Sequence, residues 1–332
     1  MADDPFADSY YASLTPSVPE PSFEDSGEQE RVWGRMWGSF DEVGPLRMVL
    51  MRCPGPEWER VRADCWDDRA KALVDPDGMW YWLSRDPPDL DRVRAEHAGL
   101  VAALEAEGVE VVTVDAPAPP HLSRPIYTRD PLLTVPGGAV VGRMAPAMRR
   151  GEERLVTQAV AALGMPILRT IAGTGMVEGG SFVKLTPRVA AYGTSIRCND
   201  EGARQLDEVL RPLGIELTIV PMGGWSIHLD GHLGMVDVDK ALVDPNGLPW
   251  WFLDRLRELG IEALPVPAGE GWAINSLALR PGRILMAEGN PLTVELLERR
   301  GVEVVTVPYG EIQKGGGGIH CSTMELVRDP GA

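Results

Sequence analysis

Cys321 follows the run Gly315-Gly316-Gly317-Gly318-Ile319-His320, and four further motifs place polar groups along the chain. Asp130 ends Tyr127-Thr128-Arg129-Asp130, and Glu178 precedes Gly179-Gly180. His228 and Asp230 share His228-Leu229-Asp230-Gly231-His232, and Asn275 lies in Ile274-Asn275-Ser276. Brought together, these residues make a pocket with a thiol, an imidazole and three carboxylates. That set suits a planar cation such as a guanidinium. Carboxylates fix its N–H groups, and a soft nucleophile is aimed at its reluctant carbon. An ionised cysteine supplies the nucleophile. An imidazole, with an unperturbed pKa near 6.5, both protonates a departing amine and activates water. The chemistry calls for no metal and no cofactor.

Each motif also has a plainer explanation. A cysteine after a glycine-rich loop serves as a small buried apolar residue. Glu178 and Asp130, next to Gly-Gly and Pro131, could bond turn amides. His232 and His320 read as structural or supporting residues. What favours function is that the motifs recur at one phase of a repeat.

The repeat is a helix-like stretch that closes on a glycine and runs into a short apolar strand. Its glycines are Gly108, Gly164, Gly214, Gly260 and Gly301. A helix commonly ends on a residue in the left-handed region, which glycine enters without penalty. Recurrence at this period signals one supersecondary unit used repeatedly. Leu46 to Met51 opens the first unit. Later units are expected to begin with strands over Pro125–Val135, Gly179–Leu185, His232–Val236 and Ala273–Arg280. Helices are expected over 152–163, 200–213, 249–259 and 291–300. The fold class is therefore α/β, with five ββαβ blades around a pseudo-fivefold axis, so that residues at equal phase converge.

The chain has 332 residues, 44% of them hydrophobic, enough for a substantial core. A net charge of −17 argues against nucleic acid or an anionic membrane as partner. The expected partner is a small cationic molecule, with homo-oligomer formation left open. No apolar run reaches the roughly 18 residues of a membrane span. The N-terminus lacks a basic-then-apolar leader, and Cys53, Cys65, Cys198 and Cys321 form no CxxC pair. A reducing cytoplasm is the resulting expectation. Residues 1–30, acidic and without Lys or Arg, read as a disordered tail. Residues 31–332 read as a single catalytic domain, with Trp33, Trp37 and Phe40 covering the core edge. An insertion over about 53–88, rich in tryptophan, is expected either as a lid or interface beside the site or as a helical decoration on the outside.

Tyr-Thr-Arg-Asp, Glu-Gly-Gly, His-Leu-Asp and Gly-Gly-Gly-Gly-Ile-His-Cys resemble the guanidine-modifying, or pentein, superfamily over about Leu46 to Leu326. Arginine deiminases, dimethylarginine dimethylaminohydrolases and amidinotransferases belong to it. The resemblance implies Cys321 as nucleophile, His228 as general acid and base, Glu178 as its partner, and Asp130 and Asp230 as guanidinium clamps. Arg197 resembles the residue that binds a substrate α-carboxylate, with Arg149 or Arg150 as a second contact. Asn275 completes the set from the fifth unit. Ser181 stands where arginine deiminases often carry Asp, and no large helical domain is added. Both features favour a dimethylarginine dimethylaminohydrolase-like or small-molecule deiminating enzyme. The expected activity is hydrolysis at the guanidine carbon of a free arginine derivative, through a thiouronium on Cys321, to a ureido product such as citrulline. Transfer of the amidino group to an amine is the alternative. A binding protein of the same fold is a third reading, against which the retained thiol, imidazole and acids speak.

Overall fold

In the computed structural model, which describes Leu14 and residues 20–331, all five repeat glycines take left-handed φ values between 71° and 79°. The repeat therefore rests on backbone geometry that a side chain would strain.

Helix α1 (Ser26–Trp33) precedes strand β1 (Leu46–Met51). The insertion then contributes β2 (Trp66–Asp67), β3 (Ala72–Val74) and β4 (Tyr81–Trp82). Helix α2 (Leu90–Ala106) and strand β5 (Glu110–Thr113) follow. Four units then repeat strand, strand, helix, strand. They are β6 (Leu132–Val135), β7 (Gly138–Val141), α3 (Glu152–Ala162) and β8 (Ile167–Thr170); β9 (Phe182–Thr186), β10 (Val189–Thr194), α4 (Asp200–Leu210) and β11 (Glu216–Pro221); β12 (Leu233–Asp237), β13 (Lys240–Val243), α5 (Trp250–Glu258) and β14 (Glu262–Pro265); and β15 (Leu277–Arg280), β16 (Arg283–Ala287), α6 (Pro291–Glu298) and β17 (Glu303–Val307). Two short helices, α7 (Gly310–Gln313) and α8 (Ile319–Ser322), lead into β18 (Met324–Arg328).

Each unit forms a three-stranded sheet whose middle strand pairs antiparallel with the first and parallel with the third. The first sheet draws on both ends of the chain, in the order β18-β1-β5. Val49 faces Glu325 and Leu50 faces Met324 in its antiparallel pair. Cys321 thus stands just before the first strand of its sheet, as Asp130, Glu178, Asp230 and Asn275 stand before β6, β9, β12 and β15. No described helix is long and apolar enough to cross a membrane.

Three expectations change. The first strands of units two to five begin later than read, at Leu132, Phe182, Leu233 and Leu277, because the site residues occupy turns that precede the ladder. Most of the span read as a tail lies outside the described residues, but 26–30 belong to α1. That helix is capped by Asp25, whose Oδ1 accepts from the Glu28 N–H at 3.1 Å. The insertion is a small antiparallel sheet with single helical turns, not a helical decoration. Trp58 and Trp82 pack edge to face in the core at 5.0 Å, and the Trp58 Nε1–H donates to the Ser123 carbonyl at 2.7 Å. Of the three aromatics near the start, Trp37 is buried and Trp33 is exposed.

Beneath the first and third sheets lies a buried ionic cluster. Lys184 Nζ meets Glu325 at 2.9 Å and Glu42 at 3.1 Å, and Arg129 reaches Glu325 at 2.5 Å. Removing one partner from such a cluster leaves a buried charge uncompensated. Lys184→Met is expected to lower stability by about 3–5 kcal/mol, read as a fall in the urea midpoint; a change below about 1 kcal/mol, the range of an exposed pair, would contradict it.

Candidate active site

The turns before the first strands deliver their side chains to one point, which lies against Gly180. A Cβ built on Gly180 would sit 2.8 Å from Asp130 Oδ1, 2.8 Å from His228 Nδ1 and 3.1 Å from Asp230 Oδ1. Only a residue without a side chain lets the three groups approach so closely. The Gly180 N–H also donates to Asp130 Oδ1 at 3.1 Å.

On the far side of His228, Nε2 lies 2.7 Å from Glu178 Oε2. That carboxylate also takes Arg197 Nη1 at 3.0 Å, and its other oxygen accepts from the Ala145 N–H at 2.9 Å. The Nδ1 of His228 faces Asp130 at 3.5 Å. Toward Cys321, Asp230 Oδ2 lies 3.6 Å from the Cys321 Sγ, 3.2 Å from Asn275 Nδ2 and 2.9 Å from His320 Nδ1. Asn275 bridges, with Nδ2 at 3.2 Å from the sulfur and Oδ1 accepting the Cys321 N–H at 3.2 Å. The sulfur-bearing residue is buried at the mouth of β18, on the short helix α8.

Charge decides the protonation states. Burial, then the Asp230 and Asp130 carboxylates, raise the Cys321 thiol well above its ordinary value. Sulfur therefore rests as S–H at neutral pH. Burial opposes an imidazolium at His228, yet Asp130, Glu178 and Asp230 together raise it above the usual histidine range. Burial likewise opposes ionised Glu178, but His228 and then Arg197 and Arg149 hold it below the usual carboxylate range. The resting site thus favours a protonated sulfur and, at His228, the imidazolium form. Donor atoms of Asp130, Glu178 and His228 lie within 4.8 Å of one another, a spacing that would also admit a cation.

All of Cys321, His228, Glu178, Asp130, Asp230, Asn275 and Arg197 come together here. Arg149 does too, with its guanidinium turned to carboxylates of the chain itself. Its guanidinium is taken up by Asp130 Oδ2, by both oxygens of Glu152 at 2.7–3.1 Å and by the Tyr127 carbonyl at 3.2 Å. It braces Asp130. Arg150 points to the Ala145 carbonyl on the exposed side. Residues missed in the sequence include Glu152 and Glu42. Glu152 follows Arg149 at a helical spacing of three, the one signal available. His320, read as supporting, joins Asp230 to Glu42 at 2.9 and 3.7 Å.

The arginine deiminase family model matches residues 119–249 and 270–328. The 2-nitroimidazole nitrohydrolase of Mycobacterium sp. (strain JS330) is 29% identical over 92% of this chain and 85% of that protein. The dimethylarginine dimethylaminohydrolase of Pseudomonas aeruginosa is 24% identical over 72% of this chain and 90% of that protein. A solved structure of the Pseudomonas aeruginosa enzyme, complexed with citrulline, superposes with a TM-score of 0.69 at 21% identity, over 85% of this chain and all of that one. An amidinotransferase of the saxitoxin pathway from Microseira wollei superposes with a TM-score of 0.68 at 18% identity, over 88% and 97% of the two chains. The structural neighbours share the pentein fold, with mixed α/β content.

Gly180→Ala forces Asp130, His228 and Asp230 apart. Its expected signature is a fall of the His228 imidazole titration toward the ordinary range, followed by NMR, with about 1–3 kcal/mol of overpacking; an unchanged titration would contradict the convergence. A neutral alkylating reagent is expected to modify exposed Cys53 before Cys321 at neutral pH, with the Cys321 rate rising steadily into the alkaline range. Peptide mapping by mass spectrometry checks this, and a pH-independent Cys321 rate would rule out the raised thiol.

Proposed function

This chain belongs to the arginine deiminase family, and from that premise we propose that it is an enzyme acting on the guanidine carbon of a free arginine derivative through a covalent bond to Cys321. The observation that carries the reading is the convergence of Asp130, His228 and Asp230 around Gly180, with Asp230 in turn 3.6 Å from the sulfur. The homologues are hydrolases and amidinotransferases of guanidino compounds, with the nitrohydrolase beside them. We read the five equivalent units as a five-bladed ββαβ propeller about a pseudo-fivefold axis, which is what brings the five turns to one place.

A guanidinium held by Asp130 and Asp230 places positive charge beside Cys321. That charge offsets the two carboxylates that keep the thiol protonated, so binding itself favours the thiolate, and the sulfur's proton is released to solvent. Sulfur adds to the central carbon and forms a tetrahedral adduct. His228, already an imidazolium, gives its proton to the departing nitrogen, and the C–N bond breaks to leave an S-alkylthiouronium. The now neutral His228 takes a proton from water, whose oxygen adds to the same carbon. Collapse expels the Cys321 sulfur and yields a ureido product, citrulline if the substrate is arginine or a methylarginine. Glu178 keeps the imidazole oriented throughout, from 2.7 Å. An amine in place of water would receive the amidino group instead.

One observation favours a second substrate class. The 2-nitroimidazole nitrohydrolase matches 92% of this chain, and C2 of its substrate, like a guanidine carbon, is bonded to two nitrogens and a group that can leave. The same sulfur attack would expel nitrite.

The test is incubation with arginine, methylated arginines, agmatine, guanidino acids and 2-nitroimidazole in ¹⁸O-water, with and without amine acceptors. Mass spectrometry is expected to find one ¹⁸O atom in a ureido product and a trapped adduct on Cys321. Cys321→Ser should lose turnover by at least about 10³-fold with its thermal melt unchanged. Full activity in that variant would remove Cys321 from the mechanism, and nitrite release without any ureide would select the second class.

A further inference from the structure

Strands β1 and β5 run parallel and end side by side, Met51 against Thr113, so the segments that follow them leave the first sheet together. Between those segments, residues 52–60 and 114–122, lies a cavity of about 420 Å³, inside the range of about 300–1,000 Å³ usual for small-molecule sites. It shares no residue with the catalytic pocket. Arg52 Nη1 donates to the Val114 and Ala116 carbonyls at 3.2 and 2.7 Å. Arg60 reaches the Pro120 and Leu122 carbonyls and donates to that of Glu57 at 2.9 Å. Two arginines thus strap one segment to the other at either end of the space, and the fixed φ angles of Pro117, Pro119 and Pro120 stiffen the wall between them.

The lining carries two buried charges of opposite sign. Arg52 is 8% exposed and Glu57 6%, yet among the described residues neither makes an ion pair. Glu57 has a single bond, its Oε1 accepting the Gly55 N–H at 3.0 Å, and Arg52 meets neutral carbonyls through Nη1 alone. A cation and an anion withdrawn from water without charged partners are each costly. They face one cavity and do not meet across it, so a molecule carrying both charges would answer both. Around them the lining is apolar, with Leu122 buried at the floor and Pro56, Pro117 and Pro120 exposed at the rim.

We propose that this cavity is a second binding site, apart from the catalytic pocket, for a zwitterionic α-amino acid with an apolar side chain. The carboxylate meets Arg52, the ammonium meets Glu57, and the side chain lies against Leu122 and the prolines. A phosphate or a dicarboxylate would be repelled by Glu57, and a simple amine by Arg52. The site does not depend on the chemistry at Cys321. Trp58, next to Glu57, bonds the carbonyl of Ser123, next to Leu122, at 2.7 Å. The floor of the cavity therefore adjoins the start of the segment that ends in Asp130.

Calorimetry on the full chain tests this, with L-leucine, L-methionine and L-phenylalanine as probes. Each is compared with its deaminated acid, which lacks the ammonium, and with its amide, which lacks the carboxylate. The wild type is expected to bind at least one of the amino acids at millimolar concentration or below, about 10- to 100-fold more tightly than either analogue, the worth of one charge-assisted hydrogen bond. Glu57→Gln keeps an acceptor for the Gly55 N–H; it should erase the advantage over the deaminated acid and leave the acid itself bound no more weakly. Arg52→Gln should erase the advantage over the amide, and if that change loosens the strap, Glu57→Gln decides alone. Ala118→Trp, which fills the cavity, should abolish binding while the thermal melt stays cooperative. Failure of all three amino acids to bind, equal weakening of amino acid and deaminated acid by Glu57→Gln, or binding that outlasts Ala118→Trp overturns the proposal.

Discussion

The arrangement depends on keeping several carboxylates out of water beside a thiol. Glu178, Asp130 and Asp230 are each no more than 3% exposed, and mutual repulsion would protonate or expel them if nothing answered their charge. Answers come from four directions. Arg149 sits on Asp130, Arg197 on Glu178, His228 between the two, and His320 on Asp230. Behind His320 the chain of alternating charge runs on through Glu42 to Lys184, Glu325 and Arg129. The site is one end of a charge lattice that passes through the core, and a group at either end feels what happens at the other.

That lattice also bears on how a pocket that holds its thiol protonated could carry out the chemistry we propose. Its acids are close to balanced by the protein's own cations, and the sulfur lies next to Asp230, whose carboxylate has its other contacts from Asn275 and His320. One added positive charge near Asp230 therefore weighs heavily on the S–H bond. In the function we propose, selectivity for a cation follows from the same balance that stabilises the resting fold.

Much of this was legible in the sequence because two kinds of signal were local. Glycines at helix ends mark the five units, since the left-handed conformation strongly favours glycine. Motifs before the first strands carry Asp130, Glu178, His228, Asp230 and Asn275 at one phase. What stayed hidden is what depends on long-range packing. The pairing of β1 with β18 joins residues far apart in the chain, and nothing near Leu46 announces it. The resemblance offered Arg149 or Arg150 as a ligand contact; what no local signal shows is that Glu152 and Asp130 both meet the Arg149 guanidinium. The strand starts were read too early because the turn residues are apolar enough to continue the ladder in pattern, although Pro131 and the Gly179-Gly180 pair interrupt its hydrogen bonding.

The first sheet, closed by the last strand, also orders events in time. During synthesis the ribosome releases β1 early, and that strand must wait through four complete units before its antiparallel neighbour appears. The sulfur emerges from the exit tunnel just ahead of that neighbour. On the mechanism we propose, a nascent chain therefore has Asp130, Glu178, His228 and Asp230 but not yet Cys321. The thiol of that mechanism and the final closure of the fold arrive together, so a half-made chain would have no means of reacting.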